Sequence, residues 1–418
     1  MNKYFLFKHF FDKTISKLNN KEFAFILFYG FCLRFLSKGK YRLYKKKSIA
    51  KSRKYKLIIK GEDVFFDEPL ELTKERKKLK HKELSIGYRM FENARISPDV
   101  SFVYDGFYCF YQKLTTYAKF EDIVFESDTI MIDVDQYVLV DHTRDEITNL
   151  KEGIFFGGSW PTNWYHLLIE ILSKIEVVKN LPQEYKKYPI ILSKEAYALE
   201  NQKELIDKIL YGFNFVLVSS NRTTQVGSLL HLDSPILLPP NYRNGACENT
   251  IDYNINKKLT KQYMERIFDL YNLDVNEDFK YVYLARSQHK RKYNQDEITG
   301  YLKKIGFKVV YLEQFSLIQQ ASIFRSADCI IGPTGAAWSN IVFSNKNQKG
   351  IIFLPEAARS STVYSKLSQI VGIELYHLYY KSESANWVEY MVSSEVAKIE
   401  IDDLKEYIKQ LGLKFLHD

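Results

Sequence analysis

His166 and Glu170 stand four residues apart in Asn163-Trp164-Tyr165-His166-Leu167-Leu168-Ile169-Glu170, directly after the glycine-containing turn of residues 157–162. On a helix that spacing puts both on one face, while Leu168, Ile171, Leu172 and Ile175 define the apolar one. A carboxylate against an imidazole raises its basicity and fixes its orientation, which is what a general base needs. The same spacing also suits a packing histidine in an ordinary ion pair. A second group follows Tyr283-Leu284-Ala285, where Arg286 leads into Ser287, Gln288, His289, Lys290, Arg291 and Lys292. Fixed cations at the carboxyl end of a strand, ahead of a helix, suit an anionic ligand such as a diphosphate. Lys290 and Lys292 fit equally as solvated side chains. A third group is Gly332-Pro333-Thr334-Gly335-Ala336-Ala337. Small residues between a strand and a helix let the backbone approach a ligand, and the helix N-terminus favours a phosphate. A tight packing turn has the same composition. The pattern is neither GxxxxGK[ST] nor GxGxxG, which argues against ATP hydrolysis and NAD chemistry.

The elements that must position these residues read as a change of pattern along the chain. Residues 55–59, 102–110 and 129–140 are short, aromatic and alternating, as strands are. Asp133-Val134-Asp135 lies in the last of these runs. It resembles a metal-binding DxD pair, but the two aspartates of a strand share one face and are expected on its solvent side. From Gly153 strands and helices alternate: strands at 154–156, 190–192 and 215–218, helices at 164–179 and 195–211. Short continuous apolar runs of this kind suit buried parallel strands. Pro235, Pro239, Pro240, Asn241, Asn244 and Gly245 mark a linker and a boundary near residues 235–255. Alternation then resumes, with strands at 281–284, 309–312, 329–331, 351–354 and 375–379. Asn294 and Glu297 are expected to form a capping box, and Ser316 to cap the next helix. The expected fold is α/β, a pair of doubly wound domains preceded by a basic segment. The divisions fall at 1–60, 61–245 and 246–418.

Of 418 residues, 46% are hydrophobic, which excludes a disordered chain. The net charge of +9 is unevenly placed: residues 1–60 hold 17 Lys and Arg against Asp12 and Glu22, a net of +15, leaving −6 for the rest. No nucleic-acid-binding motif accompanies the basic stretch, so no nucleic-acid partner is expected. Its apolar run, Phe23 to Leu36, is shorter than the ~20 residues of a spanning helix. With Lys38, Lys40, Arg42, Lys45, Lys46 and Lys47 beside it, it suits a helix lying on an anionic leaflet, or a buried helix followed by solvated charges. Cys32, Cys109, Cys247 and Cys329 form no CxxC pair, and a reducing compartment is the simplest setting.

The three motif groups together resemble glycosyltransferase family 61. Asn163, Tyr165, His166 and Glu170 are similar to its first motif. Arg286, Arg291, Asn294 and Glu297 are similar to its second, and Gly332 to Asn340, with Gly335, Ala336 and Asn340 in place, to its third. The resemblance spans about residues 150–380 and implies a GT-B-like pair of domains, with sugar transfer from a nucleotide-sugar donor, inversion, and no required metal or cofactor. It implies His166 and Glu170 as catalytic residues of an acceptor-side domain. It implies Arg286, Arg291, Gly332, Thr334, Gly335, Ala336 and Asn340 as donor-binding residues of a C-terminal nucleotide-sugar-binding domain. Thr334 stands where the family's third motif has histidine; it can donate a hydrogen bond but supplies no positive charge. The expected activity is assembly of a capsule-type or lipopolysaccharide-type surface glycan. The acceptor would be a glycan, in one version lipid-linked, and the enzyme would sit on the cytoplasmic face of the membrane through residues 1–60. The alternative is a non-catalytic GT-B-like partner that binds glycan or nucleotide within an assembly.

Overall fold

The computed structural model describes residues 41–413 apart from 53, 73, 113–122, 126, 128, 135, 143–145, 239–252, 272, 275 and 288–290. The apolar run of residues 23–36 therefore lies outside the described residues, as do Lys38 and Lys40. The described chain is mixed α/β and gathers into two compact units. One takes residues 41–60, 85–203 and 210–234, the other 61–84, 204–209 and 235–413.

The first unit is built on an 11-stranded sheet. Four strands, Phe215–Val218, Ile190–Ser193, Glu146–Phe155 and Thr224–Leu232, run parallel in that spatial order. Two of them, Ile190–Ser193 and Phe215–Val218, cover expected apolar runs, the first buried throughout, while Glu146–Phe155 extends the expected strand at 154–156 toward its N-terminus. The expectation of a wholly parallel sheet stops there. Ile86–Ser97 lies antiparallel against Thr224–Leu232, and Phe102–Asp105 and Tyr108–Tyr111 continue the ladder by antiparallel pairing. Alternating strands joined by tight turns return on themselves, and the turn at Gly106 adopts a left-handed φ of 60°. Phe91, Phe110, Phe155, Ile191, Val226 and Leu229 form the core on one face.

Tyr41–Ser48 sits inside this sheet, parallel to Tyr108–Tyr111 and antiparallel to Tyr137–Asp141. Lys45, Lys46 and Lys47 are thus strand residues rather than the flank of a surface helix. Lys47 Nζ lies 4.6 Å from the Tyr108 ring centroid, and the buried Lys46 Nζ lies 2.5 Å from Asp133 Oδ1. Asp133 Oδ2 also accepts the Phe125 amide at 2.7 Å. The expectation of Asp133 on the solvent side is overturned: at 1% exposure it is committed to a buried lysine. Its neighbour Asp135 lies outside the described residues.

The second unit has a five-stranded parallel sheet in the order Lys308–Val310, Tyr281–Leu284, Cys329–Pro333, Lys349–Pro355, Glu374–Tyr380. Numbered along the chain this is 2-1-3-4-5, a doubly wound order whose direction reverses between Tyr281–Leu284 and Cys329–Pro333. Ser316 caps the helix Leu317–Ser326, and Gln319 completes a capping box. Gly372, with φ of 93°, closes Val363–Val371. Asn294 does occupy the N-cap of Gln295–Lys304, but without a capping bond. Its side chain instead donates to Glu297 and Ile399 and accepts the Ile399 amide at 2.8 Å, so the expected box is replaced by a tie to a distant strand end. Among the described residues no helix is long and apolar enough to cross a membrane.

Candidate functional site

In the second unit the reversal of strand order leaves an opening at the carboxyl ends of Tyr281–Leu284 and Cys329–Pro333, where doubly wound sheets bind ligands. Both arginines and the glycine turn are there. A Cβ on Gly332 would lie 2.8 Å from Leu284 Cβ and 2.9 Å from the Leu284 carbonyl, so only glycine lets the two strand ends approach so closely. The strand runs on to Pro333, two residues beyond its expected end, and the eight-residue 3-10 helix Ala336–Phe343 starts directly after Gly335.

Arg286 is fixed from several sides. Its amide donates to Gln295 Oε1 at 2.9 Å while Gln295 Nε2 donates to its carbonyl at 3.0 Å, as a neighbouring strand would. The Tyr293 hydroxyl supports Gln295 Oε1 at 3.1 Å and bonds Tyr283 at 2.6 Å. The Arg286 guanidinium donates to the carbonyls of Arg291 and Thr334. These partners are neutral, so they orient the group without cancelling its charge. Arg291, in a left-handed conformation with φ of 54°, points a second guanidinium into the same neighbourhood. Burial and the Arg286 charge hold Arg291 down to about 10. Among the described residues no carboxylate pairs with either arginine. Two like charges held near each other without a counter-ion form a site for an anion.

The surroundings supply neutral donors. Tyr364 donates to the Gly335 carbonyl at 2.7 Å, and Tyr380 and Tyr390 bond each other at 2.5 Å. Burial raises the hydroxyls of Tyr283, Tyr293, Tyr380 and Tyr390, which stay protonated. Thr334 uses its amide on the Phe353 carbonyl at 2.9 Å, and its hydroxyl bonds none of the described residues. Gly335 and Ala336 line the helix start. Asn340 stands apart from this rim: it is fully buried and donates to Gln320 at 3.0 Å, which in turn holds the carbonyls of Leu312 and Phe315. Lys292 is exposed, and Gln288, His289 and Lys290 lie outside the described residues.

In the first unit, His166 Nδ1 lies 2.6 Å from Glu170 Oε2, with both side chains buried. The helix around them takes a wider π turn over His166–Ile171, an irregularity common at functional sites. Asn163 Oδ1 accepts the Tyr165 amide at 2.9 Å and shapes the helix start. An ionised carboxylate can only accept, so Nδ1 is the nitrogen that donates to it, and in the neutral imidazole Nε2 is left with a lone pair. Nε2 bonds none of the described residues. The rings of Trp160 and Tyr165 stand 5.3 Å from the imidazole. Sequence reasoning missed Gln295, whose clamp depends on folding, and Lys174, which extends the 166–170 spacing by another four residues. Among the described residues no group of three or more His, Cys, Asp and Glu is placed to hold a metal.

The molecule is therefore an α/β protein with paired arginines at a strand-order reversal in its second unit and a buried His–Glu pair in its first. The model of the family described as Glycosyltransferase 61 matches residues 164–352, a span that includes both. Over that span the chain is similar to the family, as the three motifs suggested, and the family suggests glycosyltransferase activity. No curated protein matches the chain.

Proposed function

We propose that the chain is an inverting glycosyltransferase of GT-B-like design that moves a sugar from a nucleotide-sugar donor onto a growing surface polysaccharide of capsule or lipopolysaccharide type. The observation that carries this reading is the pair Arg286 and Arg291 at the strand-order reversal, which no carboxylate pairs with among the described residues. A nucleoside diphosphate leaves with its bridging oxygen negatively charged. Two fixed guanidinium groups, the Thr334 hydroxyl and the first helical amides stabilise that charge as it develops. They supply the positive charge a divalent cation would otherwise bring, and the activity is metal-independent in this reading. His166 Nε2 takes the proton of the acceptor hydroxyl, while Glu170 holds Nδ1–H and stabilises the imidazolium that forms. The acceptor is a lipid-linked glycan, and residues 1–40, which precede the first strand, hold the enzyme at the cytoplasmic face of the membrane; their aromatic and basic composition supports this setting.

A thermal-shift panel of nucleoside diphosphates and nucleotide sugars tests the donor assignment, because a ligand that binds the folded state raises its apparent stability. Radiolabelled transfer from the sugar that scores then tests the reaction. His166→Ala is expected to lower turnover at least about 100-fold with diphosphate affinity unchanged. Wild-type turnover in that variant removes His166 from the mechanism, and the absence of any nucleotide hit overturns the donor site. A nucleotide hit without donor hydrolysis or transfer would favour a non-catalytic binding partner, the role Thr334 in place of histidine first suggested.

A further inference from the structure

The turn that precedes His166 is tied down at both ends and open in the middle. The Gly157 carbonyl accepts Lys174 Nζ and Ser101 Oγ, each at 2.6 Å, and the Gly158 amide donates to the Pro98 carbonyl at 3.1 Å. A Cβ on Gly158 would meet Ile171 at 2.5 Å, so this end lies directly on the helix. At the other end Gln202 Nε2 holds the Thr162 carbonyl at 2.7 Å, and the Asn163 amide closes back on the Trp160 carbonyl at 2.8 Å. Between these anchors Trp160 takes a φ of 47°, a left-handed conformation that bulky side chains rarely adopt. Strain of this kind persists only where the surroundings impose it, and it clusters at binding and active sites. A tryptophan placed for packing would be enclosed, yet Trp160 is 36% exposed. Its indole N–H bonds none of the described residues. The ring stands 5.3 Å from the His166 imidazole, tilted by 54°.

The geometry assigns Trp160 as the platform for the acceptor: its open indole face stacks against the C–H face of one pyranose unit, and Nε1–H donates to a hydroxyl of the same sugar. The inference rests on the reading of the first unit as the acceptor side. An aromatic face is negative and attracts the weakly positive C–H groups that line one side of a sugar ring, while the indole N–H supplies the polar handle. The distance between indole and imidazole is about the width of one sugar ring, so a hydroxyl of the stacked unit or of its neighbour comes within reach of His166 Nε2. A turn fixed before the sugar arrives also spares the cost of ordering it on binding.

The test uses the full-length protein grown with fluorotryptophan, in which Trp160, Trp164, Trp338 and Trp387 each give one fluorine resonance. The Trp160 resonance is the one missing in Trp160→Phe. The probes are methyl β-D-glucopyranoside, cellobiose and N,N′-diacetylchitobiose, with D-glucitol as an acyclic control that carries hydroxyls but no ring face. The Trp160 resonance is expected to move saturably with at least one pyranoside and to stay in place with D-glucitol, while the resonance of the buried Trp338 is unmoved by either. Trp160→Gly removes the ring but accepts the left-handed backbone, so the turn is kept. Its affinity for the sugar that scores, read by saturation transfer to the saccharide, is expected to fall about tenfold or more, and that of Trp160→Phe by less. A Trp160 resonance that no pyranoside moves, or that D-glucitol moves equally, overturns the proposal, as does unchanged sugar affinity in a folded Trp160→Gly variant. The wild-type titration decides the matter if Trp160→Gly does not fold. Nucleoside diphosphates titrated into the same protein report on the donor site, and turnover of His166→Ala reports on the base. Failure of either of those readings therefore looks different from failure of this one.

Discussion

Replacing Arg291 with Gln should make the protein more stable and its diphosphate site weaker, two effects that ordinary destabilising substitutions do not combine. Arg291 is half-buried, and burial together with Arg286 lowers it from the ordinary arginine range to about 10. Each pKa unit corresponds to about 1.4 kcal/mol, so carrying this charge without a described counter-ion costs the folded state at most about 3.5 kcal/mol at neutral pH. The penalty exists because the folded state holds its proton less firmly than the unfolded chain. It is fully present below about pH 10 and fades as the pH rises above that. Glutamine removes the charge and keeps an amide, and should return about 1 to 3 kcal/mol in urea unfolding near pH 7. Its diphosphate affinity should fall about 10- to 150-fold, the loss of a charged hydrogen bond of about 1.5 to 3 kcal/mol, measured by calorimetry. Saturating diphosphate should then raise the stability of wild type more than that of the variant. A variant less stable than wild type with undiminished affinity would refute the idea that Arg291 is a charge waiting for an anion.

Gln295→Leu removes both bonds to the Arg286 backbone, about 1 kcal/mol each, and should weaken diphosphate binding about 10- to 30-fold with turnover at saturating donor little changed. Equal affinity in calorimetry would show that Arg286 holds its place without the clamp. The buried pair Asp233 and Lys174 predicts a stability profile with two slopes. Burial pushes Asp233 up to about 6, so the folded state binds more protons than the unfolded chain between about pH 4 and 6 and stability falls by about 3 kcal/mol across that window. Lys174 is lowered to about 8, so the unfolded chain binds more protons between about pH 8 and 10.5, and stability rises there by a similar amount. Urea unfolding from pH 4 to 10.5 checks this, and Lys174→Met should abolish the alkaline slope while extending the acidic one to higher pH, since the Lys174 charge favours ionised Asp233.

The second unit was legible because every strand in its sheet is a short apolar run followed by a helix, and its strand order follows from few alternatives. The first unit was half legible. Its aromatic runs read as strands, but a strand with one buried face does not announce its partners, and the joining of Ile86–Ser97 to Thr224–Leu232 crosses more than a hundred residues. Arg286 and the glycine turn stood out by type and position. Gln295 did not, because a glutamine at the start of a helix has no reason of its own to bond a backbone nine residues earlier. Lys174 was visible in the spacing yet unremarked, since lysines are rarely buried. Asp133 misled for the same reason, its lysine partner being remote in sequence.

The strand Tyr41–Ser48 fills the middle of a sheet whose two flanking partners, Tyr108–Tyr111 and Tyr137–Asp141, are made much later. At a synthesis rate of about 5–20 residues per second, it waits on the order of 5 to 20 s for the second of them. Three consecutive lysines keep so aromatic a segment soluble while it waits. The same lysines then select the register. Only the pairing seen here brings Lys46 to Asp133, and a slip of one residue would turn Lys45 and Lys47 inward with no carboxylate to meet. The buried ion pair thus makes a shifted register of this sheet costly in the folded state.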